Sequence, residues 1–181
     1  MKYFIIIDMQ NDFTTGALAN PAAKAIVPAI AAKAKELKEQ GYRIIATRDT
    51  HQPNYMDTQE GKNLPIPHCI QDTPGWEVVD EIKSFVDMYI NKPSFGFNNW
   101  KHEIEENQPI LKGVDLFDPT PETIEMCGTV TEICVSSNFA TLKAAFPEVP
   151  ITVHKDLCAG LSEEGHNAAL TVMKAQQAII K

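Results

Sequence analysis

The chain has 181 residues, 44% hydrophobic and 22% charged, the composition of an ordinary soluble globular protein with length for one sizeable core. A net charge of −8 argues against nucleic acid or an anionic membrane as partner, and no stretch approaches the length of a membrane-spanning helix. The apolar run Tyr3 to Ile7 is short and closed by Asp8, so no export signal is read, and the four cysteines, with no C-x-x-C pair, are expected to be reduced thiols in a cytoplasm.

Lys2 to Asp8 (KYFIIID) is a continuous β-rich run closing on a carboxylate, the pattern of a central strand in a parallel sheet. Asp8 then stands at a strand's C-terminal end, where open α/β sheets collect functional side chains. Gly16 and Asn20-Pro21 signal turns in the loop that follows. Ile26, Ile30 and Leu37 mark an amphipathic helix over 26–37, stopped by Gly41, with Pro28 expected in its first turn. A second strand, Tyr42 to Thr47, ends in Arg48-Asp49-Thr50-His51, and the crossover between the two strands should be right-handed. The segment 50–73 reads as a long polar loop, of a length more often functional than not. A short helix over Trp76 to Lys83, a third strand over Val86 to Asn91 with Lys92 at its end, and a partly helical aromatic segment over Ser94 to Asn107 follow. Gln108 to Pro121 shows no clear period.

Within Thr123 to Phe146, Ile124 to Cys127 reads as the end of a buried strand and Gly128 to Glu132 as a tight turn. Val135, Phe139, Leu142 and Phe146 fall at helical spacing. Cys134 therefore sits where a helix begins, a place where free amides and the helix dipole favour a thiolate and where backbone N–H groups could receive an oxyanion. Ile151 to His154 reads as a fifth strand and Gly160 as a turn. Ser162 could cap a helix running to about Lys174, with a final strand over Ala175 to Ile180. These elements give one α/β domain spanning 1–181, a three-layer arrangement with a mostly parallel sheet of five or six strands flanked by helices.

Three chemically useful groups lie at strand ends: Asp8, Lys92 and Cys134. A cysteine nucleophile needs a proton acceptor, which a carboxylate can provide, and a lysine beside both favours their ionised forms. Asp49-x-His51 puts two ligand-type side chains on one side of an extended strand end, and His68 follows in a loop stiffened by Pro65 and Pro67. Asp, His and His suit zinc, or iron or manganese, and either Glu60 or Asp57 could add a ligand. A nucleotide-binding domain is disfavoured, because no phosphate-cradling glycine loop follows Asp8.

These pieces carry a resemblance. Asp8-x-Gln10-x-Asp12-Phe13, Asp49-x-His51, Pro67-His68-Cys69, Lys92 and Gly128-Thr129-Val130-Thr131-Glu132-Ile133-Cys134 occur in the order found in the cysteine hydrolase superfamily of nicotinamidases and isochorismatase-like hydrolases. The chain resembles the nicotinamidase branch most. The resemblance implies an Asp8, Lys92 and Cys134 triad, a cis peptide between Thr129 and Val130, and an oxyanion held by the amides of Val130 and Cys134. It implies Asp49, His51 and His68 as metal ligands, with Glu60 the fourth rather than Asp57, and Phe13 lining the substrate pocket. The implied reaction is two-step hydrolysis of a small amide, nicotinamide first, through a thioester. The alternatives are another amide or carbamoyl substrate, or an inactive binding protein on the same fold, which would not need all three triad residues. A homo-oligomer is compatible with the sequence. The chain departs from the nicotinamidase pattern at Leu64-Pro65-Ile66-Pro67-His68, where those enzymes carry an aromatic, and an aromatic between 95 and 100 is the expected replacement.

Overall fold

A computed structural model describes residues 1–106 and 120–181. Six strands form one sheet: β1 (Lys2–Ile7), β2 (Tyr42–Asp49), β3 (Met88–Lys92), β4 (Thr123–Thr129), β5 (Ile151–Ala159) and β6 (Ile179–Ile180). Their order is β3-β2-β1-β4-β5-β6 and every neighbouring pair is parallel. The sheet is thus wholly parallel among the described residues, and it is six-stranded. β1 lies in its middle, with all of Tyr3 to Ile7 buried, which is why that run carries no polar alternation.

The helices are α1 (Asn11–Thr14), α2 (Pro21–Glu39), α3 (Gln59–Asn63), α4 (Asp80–Lys83), α5 (Trp100–Glu106), α6 (Ser136–Ala145) and α7 (Glu163–Ala175). α2 packs against α1, α4 and the strands, while α6 packs against both α5 and α7. None is long and apolar enough to cross a membrane. Val27, Ile30, Ala34 and Leu37 of α2 and Phe139 and Leu142 of α6 join the strands in the core.

Several boundaries differ from the sequence expectation for definite reasons. α2 begins at Pro21, not Ile26: the Asn20 side chain accepts from the Ala22 N–H and Pro21 takes the first helical position, so this pair is a helix start rather than a turn. Pro28 consequently lies inside the helix, where it cannot donate to the Lys24 carbonyl, yet the helix continues. β2 extends through Asp49, β3 includes Lys92, and β5 runs on to Ala159. The helix expected over Trp76 to Lys83 is reduced to Asp80–Lys83, because Val78 bridges Gln10 and the Val79 N–H donates to the Met9 carbonyl. The long loop holds a one-turn 3-10 helix, Tyr55–Asp57, and then α3. The unperiodic 108–119 lies outside the described residues, as does Asn107.

Cys134 does not begin a regular helix. It lies in a single π-helical turn, Thr131–Val135, and α6 starts two residues later. The approach to that turn is sterically tight: Gly128 has φ +128, and a Cβ there would meet the Ile7 carbonyl oxygen at 2.1 Å. Gly128→Ala is expected to cost more than about 3 kcal/mol or prevent folding, from backbone strain plus the clash with β1. Denaturant unfolding checks this, and an unchanged midpoint would contradict the close approach.

Candidate active site

The strand order reverses between β1 and β4, and this switch point of a parallel sheet opens a crevice at the strands' C-terminal ends. β3, β2 and β1 are adjacent there, and they deliver Lys92, Asp49 and Asp8. β4 delivers the turn that holds Cys134. Lys92 and Asp49 are paired in register, so their side chains leave the sheet side by side.

Lys92 is fully buried, and so is Asp8. Its Nζ lies 2.6 Å from Asp8 Oδ2, 3.3 Å from Asp49 Oδ1 and 3.7 Å from Cys134 Sγ, and donates to the Ser94 carbonyl at 3.1 Å. The three residues that the sequence pattern grouped are therefore in contact through one ammonium. Thr47 completes the cluster: its hydroxyl donates to Asp8 Oδ1 at 2.6 Å and accepts from the Asp8 N–H at 3.1 Å. Asp8 has left the strand with φ +51, and this pair of bonds holds it there.

The charges are set by burial against the ion cluster. Burial pushes the Lys92 ammonium towards losing its proton, but Asp8, Cys134 and Asp49 together outweigh it and keep it firmly charged. Asp49 stays ionised despite its burial, because the His51 ring at 3.0 Å, the nearby His68 ring and the Lys92 charge favour its anion. Asp8 is raised above the ordinary carboxylate range by burial, with Lys92 and Thr47 pulling it back. The Cys134 thiol is pushed well up by burial and then by Asp8. Enclosure next to a carboxylate thus opposes the thiolate expected from a helix start, and the Lys92 ammonium favours it.

Asp49, His51, Glu60 and His68 form the second cluster, with one donor atom of each lying within 4.8 Å of all the others. His51 Nε2 is 3.0 Å from Asp49 Oδ2 and 3.6 Å from Glu60 Oε1, and His68 Nε2 is 3.6 Å and 3.8 Å from the same two oxygens. Ligands at about 2.0–2.2 Å around a tetrahedral zinc stand roughly 3.4 Å apart, so the spacing fits that ion. His68 Nδ1 lies 2.8 Å from the Ile66 carbonyl, which makes Nδ1 the protonated nitrogen and leaves the Nε2 lone pair for a metal. Asp57, in the 3-10 turn, is not in the cluster. Tyr55 packs on both imidazoles, with ring centroids at 4.7 Å and 5.1 Å.

Two residues named only as motif letters turn out to frame the site. The buried Gln10 carboxamide accepts from the Asp49 N–H at 2.8 Å and donates to the Asp49 and Trp76 carbonyls at 2.9 Å and 2.8 Å. Asp12 accepts from the Cys69 and Ala17 N–H groups, tying the His68 loop to the loop after β1. Cys69 is wholly buried against Phe13 and Trp76, and burial pushes its thiol up. Thr47 was missed altogether, although a polar residue inside the apolar run Ile44 to Ala46 and its continuation was the available signal. A cavity of about 430 Å³ opens over both clusters, and Phe13, Glu60, His68, Val130 and Cys134 line it. The Thr129–Val130 peptide is cis, as the resemblance implied.

The isochorismatase domain family matches residues 2–180 of this chain. The chain belongs to that family. Within the family its similarities lie on the nicotinamidase branch. The nicotinamidase/pyrazinamidase of Mycobacterium tuberculosis is 26% identical over 186 residues, 96% of this chain and 95% of that protein. The pyrazinamidase of Pyrococcus horikoshii, solved in complex with zinc, superposes with a TM-score of 0.81 at 27% identity, over 99% of this chain and 98% of that one. The pyrazinamidase/nicotinamidase of Streptococcus mutans gives 0.81 at 26% identity over the whole of both chains. Family and relatives together make this isochorismatase-family chain an amide hydrolase.

If Asp8 is the base, hydrolysis must fail as the pH drops through a value above the usual carboxylate pKa of about 3.9. Thr47→Val removes a bond that favours the Asp8 anion, so the acid limb of kcat/KM should move to higher pH. A pH–rate profile with an unmoved limb would remove Thr47 from this role.

Proposed function

We propose that this chain hydrolyses the carboxamide of nicotinamide to nicotinate and ammonia through a thioester on Cys134. The observation that carries the reading is the single Lys92 ammonium within reach of Asp8, Asp49 and Cys134 Sγ. Asp8 takes the thiol proton as Sγ attacks the carboxamide carbon. Charge develops on the carbonyl oxygen, which the amides of Val130 and Cys134 receive. Asp8 returns the proton to the nitrogen, the C–N bond breaks and ammonia leaves. Water then gives Asp8 a proton while attacking the thioester carbon; the C–S bond breaks, Cys134 recovers its proton, and the carboxylate product departs. Lys92 stays charged throughout and lowers the energy of the thiolate and of the ionised Asp8.

Asp49, His51, Glu60 and His68 would hold a divalent metal, zinc first and iron or manganese as alternatives, which supplies a Lewis-acid contact for the ring nitrogen. Phe13 forms the cavity wall behind His68, with ring centroids 5.7 Å apart, and offers a face to an aromatic ring. Four free, buried cysteines suit the reducing cytoplasm proposed for it.

The test is ammonia release from nicotinamide by the purified protein, metal-loaded, chelated, and restored. Activity should follow the metal. Cys134→Ala should lower turnover by more than about 1,000-fold while metal content stays intact. Full activity in that variant would rule out the thioester route.

A further inference from the structure

The cavity is larger and more apolar than a single pyridine carboxamide requires. At about 430 Å³ it falls within the roughly 300–1,000 Å³ of sites that enclose drug-sized ligands. Among its lining residues only Asp49, Glu60 and His68 are ionisable apart from Cys134, and all three belong to the metal cluster. Among the described residues no lysine or arginine lines it, so nothing in the described wall would pair with a substrate carboxylate. Beyond the two clusters the described wall is mostly apolar, with Leu18, Leu64, Phe95, Ile133 and Leu161 prominent and Asn20 and Thr129 its polar members.

Two of these side chains are exposed at the mouth, Leu161 by 68% and Phe95 by 45%. Both sit on backbone that is fixed by hydrogen bonds. The Leu161 N–H donates to Glu132 Oε1 at 2.8 Å, and Asn20 Nδ2 holds the adjoining Gly160 carbonyl at 2.9 Å. Asn138, wholly buried, donates to the Phe95 carbonyl at 2.9 Å and to the Cys134 carbonyl at 2.8 Å, and accepts from the Phe97 N–H at 3.0 Å. Apolar groups held in place at the rim of a cavity offer surface that an apolar ligand would cover favourably.

We infer that the preferred substrate is an uncharged aromatic carboxamide carrying an apolar substituent, with the ring over the metal cluster and the substituent between Leu18, Phe95 and Leu161. This rests on the amide-hydrolase reading above and narrows its substrate. Phe95 supplies the aromatic wall that is absent before Pro65, and Leu161 closes the far side.

The experiment compares kcat/KM for nicotinamide with nicotinamides bearing methyl, propyl or phenyl groups at each free ring carbon, alongside calorimetric binding of the same amides to the metal-loaded Cys134→Ala protein. At one substituent position kcat/KM should rise by about fourfold per buried methylene, and binding should tighten in parallel. Leu161→Ser should bring the ratio of substituted to parent kcat/KM back towards one. Turnover of nicotinamide with every substituted amide slower and weaker would overturn this inference and leave the amidase reading standing. Turnover of substituted amides without nicotinamide would support the inference and correct the parent substrate. No turnover of any amide would overturn both.

Discussion

One ammonium group holds the site together. Lys92 is buried between two carboxylates and a thiol, and it would be untenable there without them. The converse also holds, since Asp8 and Asp49 lie enclosed at adjacent strand ends and would repel each other without the charge between them. Removing the Lys92 ammonium would leave two buried carboxylates facing each other uncompensated, a change of the kind that typically costs about 3–5 kcal/mol. The parallel sheet is the device that makes this arrangement possible, because three adjacent strands end at one edge and point three side chains at one spot.

Asp49 joins the two clusters. Its Oδ1 faces Lys92 and its Oδ2 faces His51 and His68, so one carboxylate belongs to both the nucleophile's surroundings and the metal's. Gln10 fixes the Asp49 backbone from both sides, and the Lys92 charge tunes the same carboxylate that a metal would use. On the proposed reading, substrate orientation and nucleophile activation would be linked through this single side chain. Asp12 of α1 and Asn138 of α6 fasten the His68 loop and the Phe95 wall to that centre.

Much of this was readable in the residues. The apolar runs at Tyr3–Ile7 and Ile124–Cys127 gave the central strands, because strands buried on both faces leave an unbroken apolar signature. Asp49-x-His51 showed as ligand types at a strand end, and His68 as another in the loop that follows. What stayed hidden depends on partners distant in sequence. Thr47 is one polar letter in a strand until β1 brings Asp8 beside it. The Trp76–Val79 segment follows a Pro74-Gly75 pair that reads as a helix entry, but the Val78 bridge to Gln10 and the Val79 N–H bond to the Met9 carbonyl keep it out of the helix. Cys134 read as a helix start from spacing, whereas its thiol is governed by an enclosure that spacing cannot show. Pro28 was read as a helix-start residue because propensity alone cannot weigh a lost hydrogen bond against the core contacts of Val27 and Ile30.

The most direct measurement is rapid acid quench of the metal-loaded protein during turnover of nicotinamide, followed by intact mass and peptide mapping. The account expects one nicotinoyl group on Cys134 in the first turnovers, disappearing as substrate is exhausted. Steady ammonia release with Cys134 unmodified at every quench time would contradict it.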